Sequence, residues 1–189
     1  FKKALETNPN YSEAHLQLAL LYQKENDYEN IEFHFKSAVK SDSEMIKYLE
    51  TKAENLLQKF QFQHAKEYFM KVQEKKIHCA DVYLQQSKYW IKQEKIKEAI
   101  VSLEKCVSMN SENAEAQRNY GILLNYENEI DSARFHLEKS LDLNYSDFKA
   151  HMYLGKIMIK MKDYDEASQH LLSALDINPE SAESLFELA

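Results

Sequence analysis

Glycine and proline are almost missing from this chain, with two of each in 189 residues. So few glycines leave no glycine-rich loop to cradle a phosphate, and so little turn material argues against a sheet of hairpins. Cysteine is equally scarce. Cys79 and Cys106 are too few for a disulfide framework and too far apart for a zinc knuckle, so they read as two reduced intracellular thiols. No apolar run approaches the ~20 residues of a membrane span, and no signal-peptide pattern is present. Arginine occurs only at Arg118 and Arg134, and the formal net charge is −7. That balance argues against nucleic acid or an anionic membrane surface as a partner, since both need a basic face.

The chemistry-bearing residue types form no evident constellation either. No two of the seven histidines stand four apart, as a helical zinc site would need. No serine, threonine or cysteine has an evident base, and no acidic residue has a partner that would suggest a buried pair. The expectation is a non-enzyme with no metal and no cofactor. Asn-Tyr-Ser sequons begin at Asn10 and Asn144, but they would matter only in a secretory compartment, and the reading is intracellular, cytoplasmic.

What is present is a repeat. The stretch 148–179 carries Leu154-Gly155, Met158, Ala167, Leu171, Ala174 and Pro179, and 34 residues earlier the ladder recurs as Tyr120-Gly121, Leu124, Ala133, Leu137 and Ser140. Full repeats run 12–45, 46–79, 80–113, 114–147 and 148–181, with part-repeats at 1–11 and 182–189. The eighth position is always small (Ala19, Ala53, Ser87, Gly121, Gly155, Ala189). The twenty-fourth is always large (Phe1, Phe35, Phe69, Leu103, Leu137, Leu171). Apolar spacings of three and four predict two helices per unit. Each unit is expected to run helix, tight turn, helix, short link, with Asp163 and Glu166 as a capping box and Asn8-Pro9 and Asn178-Pro179 as helix ends. Close approach of paired helices, and not a turn, explains Gly121 and Gly155. His34, His136 and His170 share one repeat position on a face expected to look outward, and His15 and His151 share the fourth.

This pattern resembles the tetratricopeptide repeat: large at four, Leu-Gly-like at seven and eight, aromatic at eleven, Ala at twenty, aromatic at twenty-four, Ala at twenty-seven, Pro at thirty-two. The resemblance covers essentially the whole chain and implies an all-α, right-handed α-solenoid of antiparallel helix pairs. Departures concentrate between Lys52 and Ser87. Lys52 and Gln86 stand where Leu is usual, Phe60 holds a turn, and Lys76-Ile77 replaces the Asn-Pro-like close. Simple drift of the repeat is one explanation, and a local change of superhelix geometry or a partner contact there is the other. The unpolar-capped ends suggest further repeats of the same chain on both sides.

The resemblance also implies a concave groove lined by the first helix of each repeat. Neither the carboxylate clamp of chaperone-type members nor the asparagine ladder of glycosyltransferase-type members is present. Lys88, Lys92, Arg118, Lys149, Lys156 and Lys160 make a cationic half, interleaved with Ile122, Tyr126, Met152 and Tyr153. The second repeat contributes an acidic patch at Glu50 and Glu54. The expected function is a protein–protein interaction scaffold or adaptor within a multi-subunit assembly, holding an acidic and apolar peptide segment. The alternative is a regulatory or substrate-recruiting region of an enzyme whose catalytic domain lies elsewhere in a longer chain.

Overall fold

Where a repeat ends on Asn or Asp followed by a small polar run, the helix ends too. In the computed structural model, α6 (Ala114–Tyr126), α7 (Ile130–Leu143), α8 (Phe148–Met161) and α9 (Tyr164–Ile177) all follow the predicted punctuation. Asn113 caps α6 by accepting from the Ala116 amide at 3.0 Å, and Asp147 caps α8 by accepting from Lys149 and Ala150. Asp163 accepts from the Glu166 amide at 3.2 Å, the forward half of the expected capping box. The Glu166 carboxylate lies 3.5 Å from Arg134. The turns inside the units use a left-handed residue at one fixed repeat position: Glu94, Asn128 and Lys162, with φ of 57°, 65° and 64°.

The structure describes residues 1–25, 27–58, 62–181, 184, 185 and 187. Within these, the side chains of Tyr28, Ala53, Tyr68, Phe69 and residues 56–58 and 62–66 are not described. The expected turn at Phe60 and the repeat-defining side chains Ala53, Ala65, Phe69, Ala182 and Ala189 therefore lie outside the described residues. Among the described residues there are nine helices, no strand, and no helix long and apolar enough to cross a membrane. The chain divides into two compact units, one formed by 1–95 and 108–110, the other by 96–107 and 111–189.

In the second unit, α6 pairs with α7 and α8 with α9, while α8 also lies against α7 and α6. Its core joins Leu124, Ala133, Leu137, Leu141, Ala150, Leu154, Ile157 and Met158. The glycines are where backbones meet. A Cβ on Gly121 would stand 2.7 Å from Leu137 Cγ and 2.9 Å from the Ala133 carbonyl oxygen, and one on Gly155 2.6 Å from Leu171 Cγ. All three distances are too short for a Cβ, so close packing selects glycine here, as the repeat position implied.

The first unit departs from the expected helix-turn-helix-link order. It begins with α1 (Lys2–Thr7) and α2 (Ser12–Glu25), separated at Asn8-Pro9 as predicted. Then α3 (Tyr28–Gln58) and α4 (Phe62–Lys92) each run 31 residues, straight through the links expected near 45 and 79. The reason is local: neither link carries proline or glycine, and the asparagine found at one repeat position in the other links (Asn8, Asn110, Asn144, Asn178) is replaced here by Asp42 and Lys76. The second helix of repeat one thus continues into the first helix of repeat two, and the second helix of repeat two into the first of repeat three. α3 and α4 pack along each other, with Ile46, Leu49, Val72 and Cys79 forming one cluster between them.

This fusion changes which helices are neighbours. Val82 and Tyr89 of α4 share a core with Leu16, Ala19, Ile31, Phe35 and Ala38. In the second unit the same two repeat positions, Ala150 and Ile157, join Ala133 and Leu137. The first helix of repeat three therefore fills, against repeat one, the place that the first helix of repeat two would fill in an uninterrupted stack. Repeat two is looped out as a helical hairpin. Its own first helix carries Lys52 and Asn55 at the positions where repeat five has Leu154 and Ile157. Burying a lysine and an amide against Phe35 would strip both of water without supplying partners, which disfavours that packing. α5 (Ile96–Met109) completes the element order.

Candidate functional site

In the second unit, α6 and α8 are adjacent first helices, and the groove positions lie on them. Tyr126 is 65% exposed at the end of α6, and its hydroxyl lies 3.0 Å from that of Tyr153 on α8, the rings meeting edge to face. One turn on, the Lys156 ammonium sits 5.4 Å above the Tyr153 ring and 3.6 Å from the Glu187 carboxylate. Lys160 is exposed and donates to Asn125 Oδ1 at 2.8 Å, while Lys149 is exposed at the start of α8. Ile122 is half-buried against the core.

Two of the expected groove residues have structural work instead. Arg118 donates through Nη1 to Asp147 Oδ2 at 2.6 Å, and its Nη2 lies 3.7 Å from Glu115. Asp147 is buried and caps α8, so Arg118 ties one repeat to the next, and its charge is largely neutralised. Met152 is only 5% exposed and belongs to the interior. Lys88, half-buried, and Lys92, exposed, lie on α4 in the first unit. The second repeat's Glu50 sits on the looped-out hairpin, 3.0 Å from Lys76, so the expected acidic patch does not stand beside α2 in a continuous row of first helices. Glu115, three residues before Arg118 on α6, was open to helical spacing, whereas Asp147 and Glu187 were not, since each meets its partner across a link and not along one helix.

The histidines differ from expectation as well. His34 is buried, and His136 and His170 are half-buried, each turned toward the fourth-position residue of its own unit. His15 and His34 meet Nδ1 to Nδ1 at 2.8 Å, His151 and His170 at 3.0 Å, and His136 Nδ1 donates to Gln117 Oε1 at 2.7 Å. The fourth-position side chain then donates to the carbonyl six residues back: His15 to Pro9, Gln117 to Ser111, His151 to Tyr145. This is a clamp between the two helices and the preceding link, repeated three times. Burial holds His34, His136, His151 and His170 below the usual histidine range, and the neighbouring histidine adds to this for His34 and His170. His64 lies outside the described side chains.

One acidic residue does have a buried partner, contrary to the sequence expectation. Asp42, 2% exposed, accepts from Ser12 Oγ at 2.6 Å and from Lys75 at 3.2 Å, and is bonded to His78 Nδ1. His78 Nε2 lies 2.9 Å from Glu13. Serine, histidine and aspartate meet here: Ser12 Oγ also lies 3.3 Å from His78 Nδ1, but its hydrogen goes to Asp42 and both ring nitrogens face carboxylates, an arrangement of ion pairing. Neither cysteine is in a disulfide. Cys79 is buried and its thiol is pushed up to about 12, chiefly by burial. Among the described residues, no group of three or more His, Cys, Asp or Glu side chains could hold a metal ion.

Comparison with known proteins places this geometry in context. Sequence patterns of the tetratricopeptide repeat match residues 1–33, 80–113 and 124–188. Among curated proteins no sequence relative matches. Of the solved structures, YrrB, described as a TPR protein with an unusual peptide-binding site, is 22% identical with a TM-score of 0.55 over 98% of this chain and 95% of its own. The TPR domain of Arabidopsis OM64 is 16% identical with a TM-score of 0.58, over 60% of this chain and 93% of its own. The first TPR of Spaghetti (RPAP3), bound to the HSP90 peptide SRMEEVD, is 22% identical with a TM-score of 0.56, over 59% and 89%. At these identities the likeness is one of fold: an all-α solenoid of helix pairs.

Proposed function

Since this chain belongs to the tetratricopeptide-repeat family, we propose that it is a protein-interaction scaffold or adaptor whose second unit holds an acidic and apolar segment of a partner. The observation that carries this is the meeting of exposed Tyr126 on α6 and half-buried Tyr153 on α8 beside the ammonium groups of α8. Tyr126 and Tyr153 offer rings and hydroxyls, and Lys149, Lys156 and Lys160 offer charge beside them. Glu187 already rests near Lys156, which supports a carboxylate as the fitting group. Peptide-bound neighbours of the same fold support the general mode, and the multi-subunit setting and the intracellular location are part of the same proposal.

Partner segments would bind through Tyr126 and Ile122 as the apolar contact, with Lys149, Lys156 and Lys160 setting orientation and on-rate. Arg118 would act only indirectly, by holding α8 in place. The test is to select binders from a random peptide library and titrate an enriched acidic peptide against the chain and against its Lys156→Glu/Lys160→Glu variant. The variant is expected to bind at least about tenfold more weakly at low salt, with the gap narrowing as salt screens it. Equal affinity in both conditions would contradict the assignment.

A further inference from the structure

The Asp42–His78 cluster stands at a particular place. Asp42 lies where the second helix of repeat one runs on into repeat two, and His78 lies where repeat two runs on into repeat three. Both are held to the start of α2, through Ser12 and Glu13. The cluster therefore joins repeat one to the two legs of the looped-out hairpin at its base. A cleft of about 340 Å³ opens there, lined by Asn8, Asn10, Glu13, Met45, Glu74 and Lys75 among others. Ser41 adds a bond from α3 to the Asn10 carbonyl.

We propose that Ser12, Glu13, Asp42, Lys75 and His78 form a proton-operated latch that fixes the looped-out hairpin of repeat two against repeat one. The geometry requires a proton count. His78 has a carboxylate at each ring nitrogen, Asp42 at Nδ1 and Glu13 at Nε2. Only the imidazolium has two N–H groups to give them. With His78 charged, two cations, His78 and Lys75, face two anions, Asp42 and Glu13. With His78 neutral, one carboxylate loses its donor and the cluster carries a net negative charge.

The remaining groups around the ring are consistent with this. Asp81, one turn along α4, is raised by burial and lowered by His78. The Asp42 hydrogen bond and then Glu13 raise His78 above its ordinary value against the opposing effect of burial, and His78 and Ser12 hold Asp42 low despite burial. A histidine raised in the folded state contributes stability that is full below its unfolded value near 6.5 and is lost as pH rises through its folded value. Asp42 and Glu13, both lowered, contribute in the opposite direction and are lost only under acid. The latch is thus closed in the mildly acidic to neutral range and loosens on the alkaline side.

Hydrogen exchange of the intact chain tests it, read as protection factors for amides 40–46 and 74–80 from about pH 6 up to about pH 9. Protection at these junctions is expected to fall about tenfold over that interval, and amides of 130–143 are expected to show no such fall. His78→Gln should start with the lower protection and show no pH-dependent drop. A flat wild-type profile, or the same drop in His78→Gln, overturns the latch. Should His78→Gln not fold, Glu13→Gln decides. It removes one of the two carboxylates, so the fall should move to lower pH, and an unmoved fall overturns the proposal.

Discussion

At the scale of single residues, packing distance decides more than propensity does. Gly121 costs roughly 1 kcal/mol of helix propensity relative to alanine, yet a methyl group there would press on the Ala133 carbonyl oxygen as well as Leu137. Backbone cannot step aside as a side chain can, so Gly121→Ala is expected to destabilise by about 1–2 kcal/mol despite its better propensity. Gly155→Ala, which meets the Leu171 side chain first and backbone only at 3.4 Å, should cost less. Urea unfolding of the two variants checks the order, and a stabilised Gly121→Ala would contradict it. The histidine clamp gives a second prediction. His151 and His170 share one hydrogen bond between Nδ1 atoms, which fails when both are doubly protonated. Both are depressed, so the folded state resists protonation and stability is full above about 6.5 and declines as pH falls below it. Repeat four solves the same contact with Gln117. His151→Gln should therefore reduce the loss of stability between pH 7.5 and 5.5, measured as the shift in urea midpoint. An unchanged shift would show that the pair carries none of the acid sensitivity.

At the scale of elements, the punctuation of the links explains both the regular and the irregular parts. α1 and α9 end at Asn8 and Asn178, where the sequence placed the ends, and α7 ends in the same way at Asn144. α3 and α4 do not break, because Asp42 and Lys76 stand where those asparagines would be. The departures at Lys52, Gln86 and Lys76-Ile77 marked the region correctly, but a 34-residue register read position by position assumes that each repeat packs on the next one in sequence. That assumption fails where Lys52 and Asn55 make one helix unfit to be buried. Supplying the missing breaker tests this reading. Ile77→Pro places a proline in the interior of α4, and is expected to cost about 3 kcal/mol or more and to lower helicity. A variant as stable as the parent would mean that α4 is not continuous at 77.

At the scale of the whole molecule, the two units answer to proton concentration differently. The three shifted histidines of the second unit, His136, His151 and His170, are all depressed and act with one sign. In the first unit the depressed His34 opposes the raised His78. The family and the helix pairs of the second unit were legible from periodicity alone, because burial imposes its spacing there on each repeat. The candidate groove was half legible. Repeat positions selected Tyr126, Lys149, Lys156 and Lys160, but could not show that Arg118 is taken by Asp147 or that Met152 is interior, since both depend on how separate helices meet. The measurement that bears most directly on the interaction proposal is amide chemical-shift mapping with an acidic peptide enriched by the chain. The largest changes are expected at Tyr126, Tyr153, Lys156 and Lys160 on the adjoining faces of α6 and α8. Changes confined to α7 and α9, or to the first unit, would contradict it.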